Sequence, residues 1–275
     1  MLLSSYRKCV AVGLCALALG ACNSSAPPPG ATSSENAPTV AGLADDGHGD
    51  GYEYRIRYPE LAPEWDALQR ALRGYAAERK RMLLASVAPA AERAANAAPA
   101  VLDLEFNIAR RTDDFVSVLA QGSVHSGDGG APLATSFVLH TGDNRLLAIG
   151  DLFADPPRSL KALSDECARQ LEGRYEASLR QSLDARSLAP ALKAMQAGVE
   201  SGTAPTAHNF AVFLVDGIDT KAIGLTLVFA QAQLGMSSGG EQQVEVPAKV
   251  FYELLKPEYR DAFSVDTKEI APGVR

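Results

Sequence analysis

Val101-Leu102-Asp103-Leu104-Glu105-Phe106-Asn107-Ile108-Ala109 alternates strictly: Leu102, Leu104, Phe106 and Ile108 fall on one side, Asp103, Glu105 and Asn107 on the other. A period of two is that of a β-strand with one face in a core and one in water. Polar turns follow at Arg111-Thr112-Asp113-Asp114, from Ser126 to Gly130, and at Thr141-Gly142-Asp143-Asn144. Between them lie apolar runs over residues 115–124, Ser136 to Leu139 and Leu146 to Ile149. Connections this short cannot carry a parallel crossover, so residues 101–149 are predicted to form an antiparallel meander.

The flanking segments read differently. Tyr52 to Tyr58 alternates as a strand and ends at Pro59. Pro63 then opens a predicted helix with Trp65, Leu68, Leu72, Tyr75 and Met82 on its apolar stripe. An Ala/Pro-rich connector occupies residues 85–100. Beyond the meander, Leu160, Leu163, Cys167, Leu171 and Tyr175 mark one helix, and Leu188, Leu192, Met195 and Val199 a second. Strands are predicted at Phe210–Val215 and Ile223–Phe229, parted by a turn at Asp216-Gly217, and again at Val244-Glu245-Val246. A last helix begins near Ala248 and carries Phe251, Leu254 and Leu255. Strands and helices grouped in this way, without regular βαβ alternation, give an α+β fold with an antiparallel sheet meander packed against helices.

The N-terminus carries an address. Arg7 and Lys8 precede an apolar stretch from Cys9 to Gly20, which is shorter than the roughly 20 residues a spanning helix needs. It ends in Leu19-Gly20-Ala21-Cys22, which resembles the bacterial lipobox. Residues 1–21 are therefore expected to be a lipoprotein signal peptide and Cys22 the acylated (palmitate-bearing) residue. Two or more acyl chains hold a protein stably at a membrane. With Asn23 rather than Asp after the cysteine, the expected destination is the outer membrane of a Gram-negative cell, facing the periplasm. Residues 22–50 are Pro-, Ser-, Gly- and Ala-rich and are expected to be a tether with a reach of about 30 Å. Residues 51–150 are expected to form an N-terminal β-α-β-meander subdomain and residues 151–275 a C-terminal α+β subdomain.

Hydrophobic residues make up 47% of the 275 and charged residues 21%, which suits a globular fold and excludes collagen-like or coiled-coil classes. The formal charge of −7, without a polybasic run, argues against nucleic acid as a partner. Cys9 and Cys15 would leave with the signal and Cys22 would be acylated. Cys167 then remains alone, so no intrachain disulfide is expected.

The search for chemistry is mostly negative. Gly235-Met236-Ser237-Ser238-Gly239 matches G-x-S-x-G, but residues 241–246 read as a strand where a nucleophile elbow needs a helix. The last histidine, His208, also lies upstream of the serine. His125-Ser126-Gly127-Asp128 and His140-Thr141-Gly142-Asp143 pair His with Asp as a metal site could. The meander, however, sets the two histidines roughly 25 Å apart, and the Gly-Asp pairs read as turns. Asp103 and Glu105 read as a solvated sheet face, Cys167 as a small core residue and Trp65 as core. No catalytic, metal or cofactor residues are assigned, and Cys22 is the one expected site.

The order of several motifs resembles a known family. Phe137-Val138-Leu139-His140-Thr141-Gly142 precedes Leu146 to Ile149 and Gly150-Asp151-Leu152-Phe153. Asn209-Phe210 runs to Asp216-Gly217. Phe229-Ala230-Gln231 leads through Gly240 to Val244-Glu245-Val246-Pro247 and Phe251-Tyr252-Glu253-Leu254-Leu255. Together these are similar to the domain-of-unknown-function family 3298 (DUF3298), with an N-terminal part resembling DUF family 4163, over roughly residues 52–263. Such pairs form the extracytoplasmic part of RsiV-type, lysozyme-responsive anti-sigma factors. They also accompany some peptidoglycan deacetylases and occur alone in envelope lipoproteins. Gly129-Gly130-Ala131-Pro132 lacks the His that members often carry there, which puts any ligand role of that His in doubt for this chain. Neither a transmembrane helix, a cytoplasmic sigma-binding segment nor a deacetylase domain is read in the sequence, so the chain is not expected to be an anti-sigma factor itself.

The expected function is a periplasm-facing lipoprotein with a non-catalytic binding module, anchored to the membrane through Cys22. Its partner would be a basic envelope protein such as a lysozyme-like muramidase, steered by the acidic charge. The alternatives are an envelope hydrolase acting on peptidoglycan or esters, and a structural lipoprotein that contacts peptidoglycan.

Overall fold

The computed structural model describes residues 43–87, 98–126, 129–218, 220–230, 233–235 and 240–265. The α+β fold is as expected, and the meander is its centre. Strands β3 (Ala100–Arg111), β4 (Phe115–Ser126), β5 (Gly129–His140) and β6 (Arg145–Leu147) pair antiparallel in sequence order. Leu102, Leu104 and Phe106 are buried as the alternation requires, but Ile108 is exposed. A bulge between Ile108 and Arg110 interrupts the register there. The extra residue turns Arg110 onto the face of its partner Ser117.

Two strands precede the meander. β1 (Ala44–Gly49) pairs antiparallel with β2 (Tyr52–Arg57), and β2 pairs parallel with β3. The sheet is thus mixed, because helix α1 (Asp66–Ser86) carries the chain across its face between β2 and β3. The tether expected over residues 22–50 therefore gives way to a strand at Ala44. β1 has no large apolar side chain of its own. Its glycines instead seat the rings of the next strand: a Cβ at Gly47 would lie 2.4 Å from the Tyr54 ring, and one at Gly49 2.5 Å from Tyr52. Neighbouring rings thus supply the contact that the edge strand lacks.

On α1, Leu68, Leu72, Ala76 and Leu83 are buried, while Met82, predicted to face inward, is 48% exposed. The helix starts at Asp66, after Pro63, with Trp65 at its N-cap and buried. A shift of one residue at the distal turn moves the stripe from Met82 to Leu83.

The other face of the meander meets a second sheet. Strands β7 (Phe213–Ile218), β8 (Lys221–Phe229) and β9 (Gln242–Pro247) pair antiparallel in that order. Its outer strands are both covered. The N–H groups of Phe213 and Val215 donate to Ser136 Oγ and Ser117 Oγ, both at 2.9 Å. On β9, the carbonyls of Glu245 and Gln243 accept from Gln170 (2.8 Å) and Arg174 (3.1 Å). Those two side chains belong to α2 (Pro156–Ser182), which packs beside α3 (Ala185–Gly202). Unpaired sheet edges invite association, and here side chains satisfy them. β4 is consequently buried on both faces from Phe115 to Ala120.

Beyond β9 the predicted single helix is two 3-10 turns, Ala248–Val250 and Tyr252–Leu254, followed by the short helix α4 (Pro257–Arg260). Pro257 cannot continue a preceding helix, because it has no N–H to donate.

Candidate functional site

Cys22, the expected lipidation site, lies outside the described residues, as do residues 1–21, most of the expected tether and Met236 to Gly239 of the G-x-S-x-G stretch. The remaining sequence candidates can be placed. His125 pairs with Gly130 at one end of β4, and His140 pairs with Phe115 at the other. Ten residues of strand part them, about 33 Å. His125 bonds Ser123 Oγ at 2.9 Å. His140 Nδ1 bonds Asp143 Oδ1 at 2.7 Å, and Arg145 joins that carboxylate to the Tyr259 hydroxyl. The His140 contact holds the Asp143 carboxyl below its usual range. This network fastens the β5–β6 turn to α4. Cys167 is fully buried on α2, and burial pushes its thiol up to about 12. A thiol held protonated in this way is a poor nucleophile. Among the described residues no group of three or more His, Cys, Asp or Glu could hold a metal ion. No helix among them is long and apolar enough to cross a membrane.

Asp216, expected in a turn, sits inside β7 at a second bulge. Its carboxylate accepts from Arg110 Nε at 3.0 Å and from Thr226 Oγ1 at 2.6 Å. Burial raises its pKa despite both partners. The two bulges thus face each other across the sheets, and Arg110 and Asp216 join them. Sequence spacing could not show this pair, because 106 residues separate its members.

Among the described residues, two open surfaces remain, one on each face of the six-stranded sheet. On the face shared with β7–β9, the distal halves of the long strands extend past the second sheet. There the side chains of Asp46, Glu53, Arg55, Arg57 and Asp103 are all between 41% and 51% exposed. Arg57 binds Asp46, which lowers the Asp46 pKa. Arg55 lies 3.0 Å from Glu53 and 3.6 Å from Asp103. Glu105 is exposed beside them, on the same side as Asp103. Asp103 and Glu105 are thus where the alternation put them, on a solvated sheet face.

On the opposite face a groove runs between β1 and α1. It comprises two cavities of about 540 and 460 Å³ that share Asp45, Tyr58 and Arg73. Leu43, Leu61 and Leu72 line the first, and Lys80, Arg81 and Leu84 the second. Lys80 Nζ lies 3.0 Å from Asp45 Oδ2 and 4.1 Å from the Tyr54 ring centroid. Burial works against the Lys80 charge, yet Asp45 and Tyr54 hold its pKa above the ordinary value. Burial and the Asp45 carboxylate raise the Tyr58 phenol, so it stays a neutral donor. Sequence placed Tyr58 at a strand end and Leu72 on a helix stripe but assigned no residue of this groove to a site. The available signal was Asp50-Gly51 after an Asp-rich segment: Gly51 has φ 87° in the β1–β2 turn, a common hairpin device.

No protein-family model and no curated protein matches the chain. Among solved structures it is similar to a DUF3298 family protein from Pseudomonas aeruginosa PAO1, with 13% identity and a TM-score of 0.47 over 78% of this chain and 93% of that one. It is also similar to a member of the DUF3298 family from Bacteroides fragilis, with 12% identity and a TM-score of 0.49 over 79% and 92%.

Proposed function

We propose that the chain is a DUF3298-type envelope lipoprotein, acylated at Cys22, whose folded part is a non-catalytic binding module. The motif residues support the family reading because they build one core. Phe153, Phe210, Val244, Val246, Phe251 and Leu255 lie in a single buried cluster. Phe153 meets Phe251 edge to face at 5.9 Å and bridges to Leu255.

The observation that carries the binding reading is the open half of the long-stranded sheet. It is a firm β surface with Asp46, Glu53, Asp103 and Glu105 facing water against two arginines. A partner needs such a preformed, charged face for a steered encounter. The motif resemblance supplies the partner class, a basic lysozyme-like cell-wall hydrolase, with the anchor at Cys22 holding the module facing the periplasm.

Calorimetric titration of the purified chain with lysozyme tests the partner. Saturable binding is expected, weakened by salt and by the double change Asp103→Lys and Glu105→Lys. Heat of dilution alone would reject a muramidase partner, and turnover of peptidoglycan by the chain would reject the non-catalytic reading. Palmitate labelling in cells, lost in Cys22→Ser, tests the anchor.

A further inference from the structure

We propose that the groove between β1 and α1 is a second binding site, and that it takes an extended acidic peptide segment of a partner protein. Four observations converge on that occupant. First, α1 carries Arg70, Arg73, Arg79, Lys80 and Arg81 against only Asp66 and Glu78, on a chain whose formal charge is −7. Of these, Arg73, Lys80 and Arg81 line the groove against Asp45 and Glu60, a small cationic excess that favours an anionic ligand.

Second, the cations are not equivalent. Arg70 is paired with Asp66, Lys80 with Asp45 and Arg81 with Glu78. Arg73 is exposed, lines both cavities, and has no hydrogen bond or ion pair among the described residues. A planar guanidinium with free donors matches a carboxylate bidentately. The Tyr58 hydroxyl, also shared by both cavities, is a further donor at the same place.

Third, the groove has apolar ends. Leu43 is 71% and Leu84 46% exposed, one at each cavity. An occupant with an acidic centre and apolar flanks would cover them while meeting Arg73.

Fourth, the shape is that of a strand. Gln69 to Leu84 spans about 22 Å of helix, the length of six or seven extended residues. β1 is the outer strand of its sheet among the described residues. The N–H of Tyr58 donates to the carbonyl of Leu43, so alternate residues of β1, starting with Ala44, direct their backbone groups outward. Ala44 lines the groove. An extended peptide can add its own hydrogen bonds there, the mode by which sheet edges recognise peptides.

The site is independent of the anchor and of the lysozyme-facing surface, which lies on the other face of the sheet. The test is fluorescence anisotropy of a labelled hexapeptide with two central glutamates flanked on each side by leucines, titrated with the full chain at low salt. Saturable binding is expected, and the leucine–lysine counterpart should not bind. Arg73→Glu should weaken binding at least about tenfold, roughly the value of one charge-assisted contact. Tyr58→Phe should weaken it less. Arg73 is exposed and makes no bond among the described residues, so its variant should melt with the parent protein, and lysozyme binding should be unchanged in it. Absence of binding, equal binding by Arg73→Glu, or equal affinity for dextran sulfate would each overturn the proposal.

Discussion

The two cores on either side of the six-stranded sheet are built differently. The core between the sheets and under α2 is closed: Phe115, Phe153, Phe210, Phe229, Phe251 and Tyr259 are all at most 1% exposed. The core under α1 is one helix deep. Its aromatic chain runs from Tyr58 stacked on Phe106 (5.1 Å) to Tyr75 edge-on to Phe106 and Phe137, and both tyrosines keep part of their surface in water. Closure on one side gives stability. Partial closure on the other leaves cavities, exposed leucines and a guanidinium without an ion pair among the described residues. A single sheet can thus be rigid where the second sheet covers it and still present surfaces for binding where the cover ends.

The sharpest break of this comparison is Phe251→Ala. Removing a fully buried ring with two edge-to-face partners is expected to cost about 3–5 kcal/mol in urea denaturation. Next comes the joint between the sheets. Asp216→Ala leaves Thr226, which is buried, and Arg110 without their acceptor, an expected loss of about 1–3 kcal/mol.

The joint also has a pH signature of known sign. Burial raises the Asp216 pKa in the folded state. Its contribution is therefore full below the ordinary carboxylate value of about 3.9 and is lost as the pH rises through the raised value. Stability of the parent protein relative to Asp216→Asn should fall from acid to neutral pH. A flat difference would mean that the carboxylate is not desolvated.

On the open side the effects should be smaller. Tyr75→Leu keeps apolar volume but loses the edge contacts to Phe106 and Phe137, about 0.5–1.5 kcal/mol. A loss as large as that of Phe251→Ala would contradict the contrast between the cores. Smallest of all, Asp46→Asn removes an exposed ion pair to Arg57 and should leave the urea midpoint unchanged, since water and salt screen such pairs.

Legibility followed the strength of local patterning. Residues 101–107 and the stripe Leu160, Leu163, Cys167, Leu171 declared their periods and are buried accordingly. β1 escaped notice because Ala44–Gly49 has no large apolar side chains to alternate; its order comes from Tyr52, Tyr54 and Lys80. Asp216-Gly217 carried the chemistry of a turn, yet it lies within β7, where the largely buried Asp216 carboxylate bonds Thr226 and a half-exposed Arg110. The motifs that carried the family resemblance mark core positions, so they speak to architecture more than to a ligand.

The sequence alone determined the three long helices, the meander, the α+β class and the solvated face at Asp103 and Glu105, because each is written in a local period of two or 3.6. Tertiary structure decided the parallel β2–β3 pairing, the division into two sheets and the groove. Those depend on residues far apart in the chain, such as Asp45 with Lys80 and Arg110 with Asp216. Such contacts depend on how elements pack after they form, and no local period of the sequence records that.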